Sequence, residues 1–298
     1  MNSAPLISSQ ELTLLHQRVL SLKTRQAVAS TFAPGQHLSH YRGEGVELDD
    51  TRPYHHGDDI RHMDWRATAR SGKATMKVFR EEKQRSLYLI VDKSATMSFG
   101  TRTTLKANIA AQAAAILIFS ALTQHETTAG VVVENHAKHF EPTRELNHSF
   151  EFINAIASPL SSSKLSLWHH IETDTLFNRI KSHTQRGYTL VIISDFIGFN
   201  SKHMALLGQL AQHRQIIGIQ VSDPAEESLP NIGKTQLYSP ITQQQLTIDT
   251  SNPETRQAYE EHFRRHRKSV NSFFASCDAP LHSINTTHDV FSRLEAIW

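Results

Sequence analysis

SLYLIVDKSATMS, residues 86–98, is an apolar, β-favouring run that stops abruptly in polar residues. Its first seven residues, SLYLIVD (86–92), predict a strand buried on both faces. Outward from it, LKANIAAQAAAILIFSAL (105–122) predicts a buried helix and AGVVVEN (129–135) a second strand. LWHHIETDTLFNRIKSH (167–183) is helical in whole or part, and YTLVIISDF (188–196) is another buried strand. SKHMALLGQLAQH (201–213) then predicts a helix and QIIGIQVSD (215–223) a strand. A long helix over 252–277, a short strand over 279–286 and a terminal helix follow. Near the start, Leu12, Leu15, Val19, Leu20 and Leu22 carry helical spacing through residues 9–30. Apolar strands alternating with helices predict an α/β fold, with a mostly parallel sheet covered on both faces. In such sheets the chemistry sits at the carboxyl ends of the strands.

The chain has 298 residues, 39% hydrophobic and 20% charged, ordinary for a globular protein. Lys plus Arg number 31 against 29 Asp plus Glu, too balanced for a nucleic-acid or anionic-membrane surface. One cysteine, Cys277, excludes an internal disulfide framework and a Cys-rich zinc module, and it reads as a buried apolar side chain. The first fifteen residues lack the basic start and apolar run of a signal peptide. The apolar stretch Ile109 to Leu122 has the length of a core helix rather than a membrane span. A soluble, cytoplasmic protein is expected. Residues 1–80, a helix and a charged stretch, are expected to pack on a sheet domain formed by 81–298.

Two strands end in polar residues of interest. Asp92, Ser94 and Thr96 form D-x-S-x-T after the first, and Asp195 ends another. One carboxylate, two hydroxyls and a second carboxylate on the same rim would suit Mg²⁺ or Mn²⁺, hard ions that take oxygen ligands and keep several waters. The plainer reading is that Ser94 and Thr96 cap a helix beginning near Thr103 while Asp92 closes a turn. A metal-dependent phosphohydrolase using Asp92 would want D-x-D-x-T/V, and the second aspartate is replaced by Ser94. No phosphate-binding G-x-x-x-x-G-K-[ST], G-x-S-x-G elbow, H-E-x-x-H helix or G-x-G-x-x-G fingerprint is present.

LDDTRPYHHGDDIRHMDWRATAR (48–70) interleaves Asp49, Asp50, Asp58, Asp59 and Asp64 with Arg52, Arg61, Arg66 and Arg70. Arginines without lysines suggest planar paired carboxylates, a structural scaffold anchored by Tyr54 and Trp65. His262 and His266 stand at i, i+4, a zinc-like spacing. With no third ligand in view, a solvated helix face is the expectation. The same helix carries Arg264, Arg265, Arg267 and Lys268, offset by Glu254, Glu260 and Glu261, which also reads as a solvated face.

The run from Arg52 to Gly100 resembles the family called domain of unknown function 58. The resemblance rests on Tyr54, Gly57, Asp58, Asp59, Arg61, Asp64, Trp65, Ala69 and Arg70, then on Asp92, Ser94, Thr96 and Met97. ISDF at 193–196 is similar to the family's later strand end, and the likeness extends over roughly 33–298. It implies a von Willebrand factor A-like, Rossmann-type domain, whose metal-ion-dependent adhesion site uses D-x-S-x-S, a distant Thr and a distant Asp. Asp92, Ser94 and Asp195 match that pattern directly, and Thr96 keeps the hydroxyl at its third position. Thr173 is the candidate for the distant Thr, with Thr175 and Ser163 as alternatives. The implied function is non-enzymatic: Mg²⁺-assisted protein binding, as an adaptor for a MoxR-type AAA+ ATPase in complex assembly or maturation.

Overall fold

Residues 4–32, 47–55, 58–80, 86–102, 104–160, 173–184, 188–239 and 244–295 are described in a computed structural model. In chain order the elements begin with α1 (Ser9–Phe32), β1 (Glu47–Pro53), α2 (Trp65–Ser71), β2 (Thr75–Arg80) and β3 (Ser86–Asp92). Next come α3 (Lys106–Thr123), β4 (Thr127–Val133), β5 (Ala137–Thr143), α4 (Leu146–Ala157) and α5 (Thr173–His183). β6 (Tyr188–Ser194), α6 (Ser201–Ala211), β7 (Gln215–Ser222) and α7 (Pro224–Glu227) follow. The last are β8 (Lys234–Ser239), β9 (Gln244–Asp249), α8 (Pro253–Ser276), β10 (Leu281–Asn285) and α9 (Val290–Glu295).

The chain divides into two units, Met1–Arg25 with Arg85–Trp298, and Gln26–Gln84. The larger is built on a six-stranded sheet of order β10-β7-β6-β3-β4-β5. All neighbours are parallel except β4 and β5, which run antiparallel. The fold is therefore α/β with a mostly parallel sheet. From β3 the chain winds outward through β4 and β5, then returns to lay β6 against the other side of β3. The strand order thus reverses between β3 and β6, and the crevice at their carboxyl ends is where such sheets bind ligands.

Every residue of β3 is buried, because neighbours flank it and both sheet faces are covered. Leu87, Leu89 and Val91 face a core with residues of α1, α3, α4 and α9, while Tyr88 and Ile90 face α5, α6 and α8. In α3, Ala107, Ala110, Ala111, Ala113, Ala114 and Ala115 are buried, small side chains that let the helix lie close to its neighbours. Of the described helices, Lys106–Thr123 is long and apolar enough to cross a membrane, and 72% of it is buried inside this fold.

The first 25 residues belong with the sheet, since Leu6, Ile7, Leu15 and Val19 enter its core. The boundaries accordingly fall near residues 25 and 84, where a single one at 80 was expected. β5 and α4 were not foreseen. AKHFEPT carries charges and a proline, acceptable only because β5 is an edge strand. The β8–β9 hairpin was likewise unread. Residues 167–172 of the expected helix, and Ser163, lie outside the described residues. Cys277 is half-exposed, at the C-terminal cap of α8, and not the buried side chain expected.

The smaller unit shows part of the expected ion-pair scaffold, and the side chains of Asp49 and Asp50 lie outside the described ones. β1 and β2 pair antiparallel. Among the described side chains of this unit, only Arg52 and Asp58 form the planar two-bond pair, at 2.7 Å for each bond. Asp59 accepts from Arg61 N–H and Asp64 from the N–H groups of Arg66 and Ala67, so these aspartates start short helices. The Arg61 side chain is 90% exposed and Trp65 is 64% exposed, so neither is a buried anchor within this unit.

Candidate functional site

β3 delivers Asp92 to the carboxyl rim, and its register with β6, Val91 beside Ile193, sets Ser194 next to it. One Asp92 oxygen accepts the Ser94 N–H at 2.8 Å and the other accepts the Ser194 hydroxyl at 2.5 Å. Past Asp92 the chain turns through a 3-10 helix, Ala95–Ser98, which places the Ser94 and Thr96 hydroxyls 3.4 Å apart. Neither caps α3, which begins at Lys106 after Leu105, and Ser94 makes no side-chain cap bond to the 3-10 turn. The capping explanation for these hydroxyls therefore fails.

Asp195 follows Ser194 in a tight turn. Its Oδ1 accepts the Ile197 N–H at 2.8 Å, and the Phe196 N–H donates to Ser194 Oγ at 2.8 Å. Phe196 takes the left-handed conformation at φ 59°, which is uncommon and costly for a bulky side chain. From α8, His266 Nε2 lies 2.9 Å from the Asp195 carbonyl oxygen. The expected solvated face of His262 and His266 is thus corrected at His266, which is half-buried and joins α8 to the strand end. Its i, i+4 partner His262 is exposed.

The second oxygen of Asp195 accepts from Lys106 Nζ at 2.7 Å, and the same ammonium reaches Glu226 Oε1 at 2.5 Å. Lys106 is fully buried, a position a lysine rarely occupies unless paired. Burial works to lower its proton affinity, but the charges and hydrogen bonds of Asp195 and Glu226 outweigh that and hold it above its ordinary value. Glu226 is raised, first by burial and then by Asp195, against the pull of Lys106. Burial, followed by the charge of Asp195, pushes the Asp92 carboxyl up to about 6 against hydrogen bonds from Ser194 and Ser94. Asp92, Ser94, Thr96 and Asp195 are each no more than 5% exposed.

Asp195 and Glu226 share one ammonium, and the described contacts of Asp92 are with neutral donors. That excess of negative charge fits a divalent cation. The donor set fits it too: Asp92 and Asp195 with the hydroxyls of Ser94, Thr96 and Ser194 offer hard oxygens. Among the described residues no three His, Cys, Asp or Glu side chains are grouped as a metal site.

Thr173 opens α5, where its hydroxyl lies 3.2 Å from His203 Nε2 on α6. His203 is buried and packs on Phe199, which packs on Phe196. Thr175 sits two residues further along α5 and is exposed. Lys106, Ser194 and Glu226 were not singled out in the sequence, and His266 was singled out only for its spacing from His262. Two signals could have found part of this set: a lone lysine opening an otherwise uncharged helix, and the D-x-x-E spacing of Asp223 and Glu226, which forms a capping box on α7.

Among known proteins, the chain is similar to uncharacterized proteins of Mycobacterium bovis and Mycobacterium tuberculosis. Each is 29% identical over 276 residues, covering 91% of this chain and 84% of the relative. An uncharacterized protein of Mycobacterium avium is 30% identical over 117 residues, 39% of this chain and 67% of that one. Among solved structures, a conserved hypothetical protein BatB of Bacteroides thetaiotaomicron is similar with a TM-score of 0.42 and 11% identity, over 72% of this chain and 95% of that one. An aerotolerance-related membrane protein of Bacteroides fragilis has the same TM-score at 12% identity, over 72% and 96%. A family model described as "Protein of unknown function DUF58" matches residues 50–269, more than half of the chain, and the chain belongs to that family.

Proposed function

We propose that the larger unit is a von Willebrand factor A-like binding domain, and that the protein is a cytoplasmic, non-enzymatic adaptor. In this reading Asp92, Ser94 and Thr96 hold Mg²⁺ or Mn²⁺ directly or through water, Asp195 assists, and Thr173 serves as the distant Thr. The partner is a protein, a MoxR-type AAA+ ATPase acting in complex assembly or maturation, and one of its carboxylates completes the coordination shell. The observation that supports this most is that Asp92 and Asp195 are both buried at the carboxyl ends of the adjacent strands β3 and β6, with one ammonium shared between Asp195 and Glu226. Bound there, an ion would neutralise the site and offer a Lewis-acidic position to an acidic side chain. Ser98 and Phe99, exposed at the end of the same 3-10 turn, are the surface beside it.

Calorimetric titration with Mg²⁺ and Mn²⁺, with and without such an ATPase, tests the proposal. The parent protein should bind the ion and, with the ion, the ATPase. Asp92→Ala should abolish ion-dependent association while the fold survives. Ser94→Ala should weaken it less, because water replaces a hydroxyl ligand. Association unchanged by chelator and by Asp92→Ala would refute the metal bridge.

A further inference from the structure

Lys106 is the least expected member of this cluster. A lysine opening a helix stands at its positive end, where a cation is disfavoured, and here it is also removed from water. Among the described residues the carboxylates that meet those costs are Asp195 at 2.7 Å and Glu226 at 2.5 Å, with the centre of the Phe99 ring 5.9 Å from the ammonium. Glu226 is itself fixed, since its other oxygen accepts the Asp223 N–H at 2.9 Å. The ammonium is thus held on one side of Asp195 by a carboxylate anchored in α7. On the other side of the site, the described contacts of Asp92 are with a serine N–H and a serine hydroxyl.

We propose that Lys106 is the built-in counter-cation of the site, an ammonium that competes with a divalent ion for Asp195 and so keeps ion affinity low until a partner adds its own carboxylate. The inference rests on the metal reading above and deepens it: Lys106 is a positioning residue that makes occupancy depend on the partner. Two positive centres drawn to one carboxylate repel each other in a poorly solvated site, where charges interact several-fold more strongly than in water. With Lys106 in place, an ion gains Asp92 fully and Asp195 only in part. With an acidic partner side chain present, the missing charge is supplied from outside.

The test compares three full-length proteins by calorimetry with Mg²⁺ and by thermal denaturation in Mg²⁺ or chelator. Lys106→Met removes the charge at similar length. It should bind Mg²⁺ at least about tenfold more tightly than the parent, and Mg²⁺ should raise its melting temperature by more. Lys106→Met combined with Glu226→Gln removes the anchor as well, keeps the parent's net charge, and leaves one fewer carboxylate unpaired. Its Mg²⁺ binding should also be tighter than the parent's, because Asp195 is released, and this variant decides the matter if the single one does not fold. Both variants should lose the partner's enhancement of ion binding. Equal or weaker Mg²⁺ binding by the variants, with a parent that binds, would overturn the role of Lys106 and leave the metal reading standing. Absence of binding in all three would overturn both.

Discussion

At Asp92 a carboxylate is closed away from solvent with only neutral donors described against it. Its ordinary value of 3.8 is pushed up to about 6, so the folded state holds a proton over a range in which the unfolded chain has released it. Stability therefore falls as pH rises from near 4 to about 6, and the full penalty, on the order of 2–3 kcal/mol, persists above that window. Asp92→Asn keeps an acceptor for the Ser94 N–H and presents an amide to Ser194 Oγ, while removing the charge. In chelator it should melt higher than the parent at pH 7, with the difference shrinking toward pH 4. A variant less stable than the parent at pH 7 would show that the buried charge is already compensated. The candidacy of Asp92 was legible in the D-x-S-x-T spacing, because a strand end followed by a tight turn is a local feature. The state of its charge was not, because Ser194 and Asp195 arrive from more than a hundred residues away.

Among elements, α1 shows how a terminal helix is tied to the sheet unit. Leu15 and Val19 enter the core beside α3, and Arg18 reaches the start of α9. Its guanidinium donates to both oxygens of Asp289, at 3.3 and 2.9 Å, and lies 4.1 Å from the centre of the Phe291 ring. The pair is half-exposed, which limits its worth, but the two-bond geometry and the ring contact add to it. Arg18→Ala should cost about 1 kcal/mol and raise hydrogen exchange selectively in α1 and α9. Uniform exchange across the unit, or no change, would mean that Leu15 and Val19 hold the helix without the clasp. The helical spacing of these leucines and valines made α1 readable from the chain alone. Its docking partner was not readable, since Asp289 lies 271 residues from Arg18.

Across the larger unit, the loops at the carboxyl rim are gathered on one buried aspartate. Asp223 accepts from the Thr101 N–H at 3.1 Å and the Thr101 hydroxyl at 2.5 Å, from the Thr286 hydroxyl at 2.6 Å and from the Ala225 N–H at 3.0 Å. It thereby joins the chain after β3, the end of β7 and the chain after β10. Burial opposes its ionisation, but the hydrogen bonds from Thr101 and Thr286 prevail and hold its carboxyl below the ordinary value. Its contribution is therefore present above pH 4 and lost in more acid solution. Asp223→Ala leaves several donors without their acceptor and should cost about 2–4 kcal/mol, measured by urea unfolding at neutral pH. A loss below about 1 kcal/mol would show that the rim loops are held elsewhere. What the chain determined by itself was the alternation of apolar strands and helices, the parallel sheet and the polar ends of β3 and β6. Those are local properties, written in the period and burial of short segments. Only the tertiary structure decided that Lys106 meets Asp195 and Glu226 across 89 and 120 residues of sequence, and that His266 reaches the same strand end from α8. No local pattern encodes those meetings, because they follow from the register of β3 against β6 and from the helices packed over both faces of the sheet.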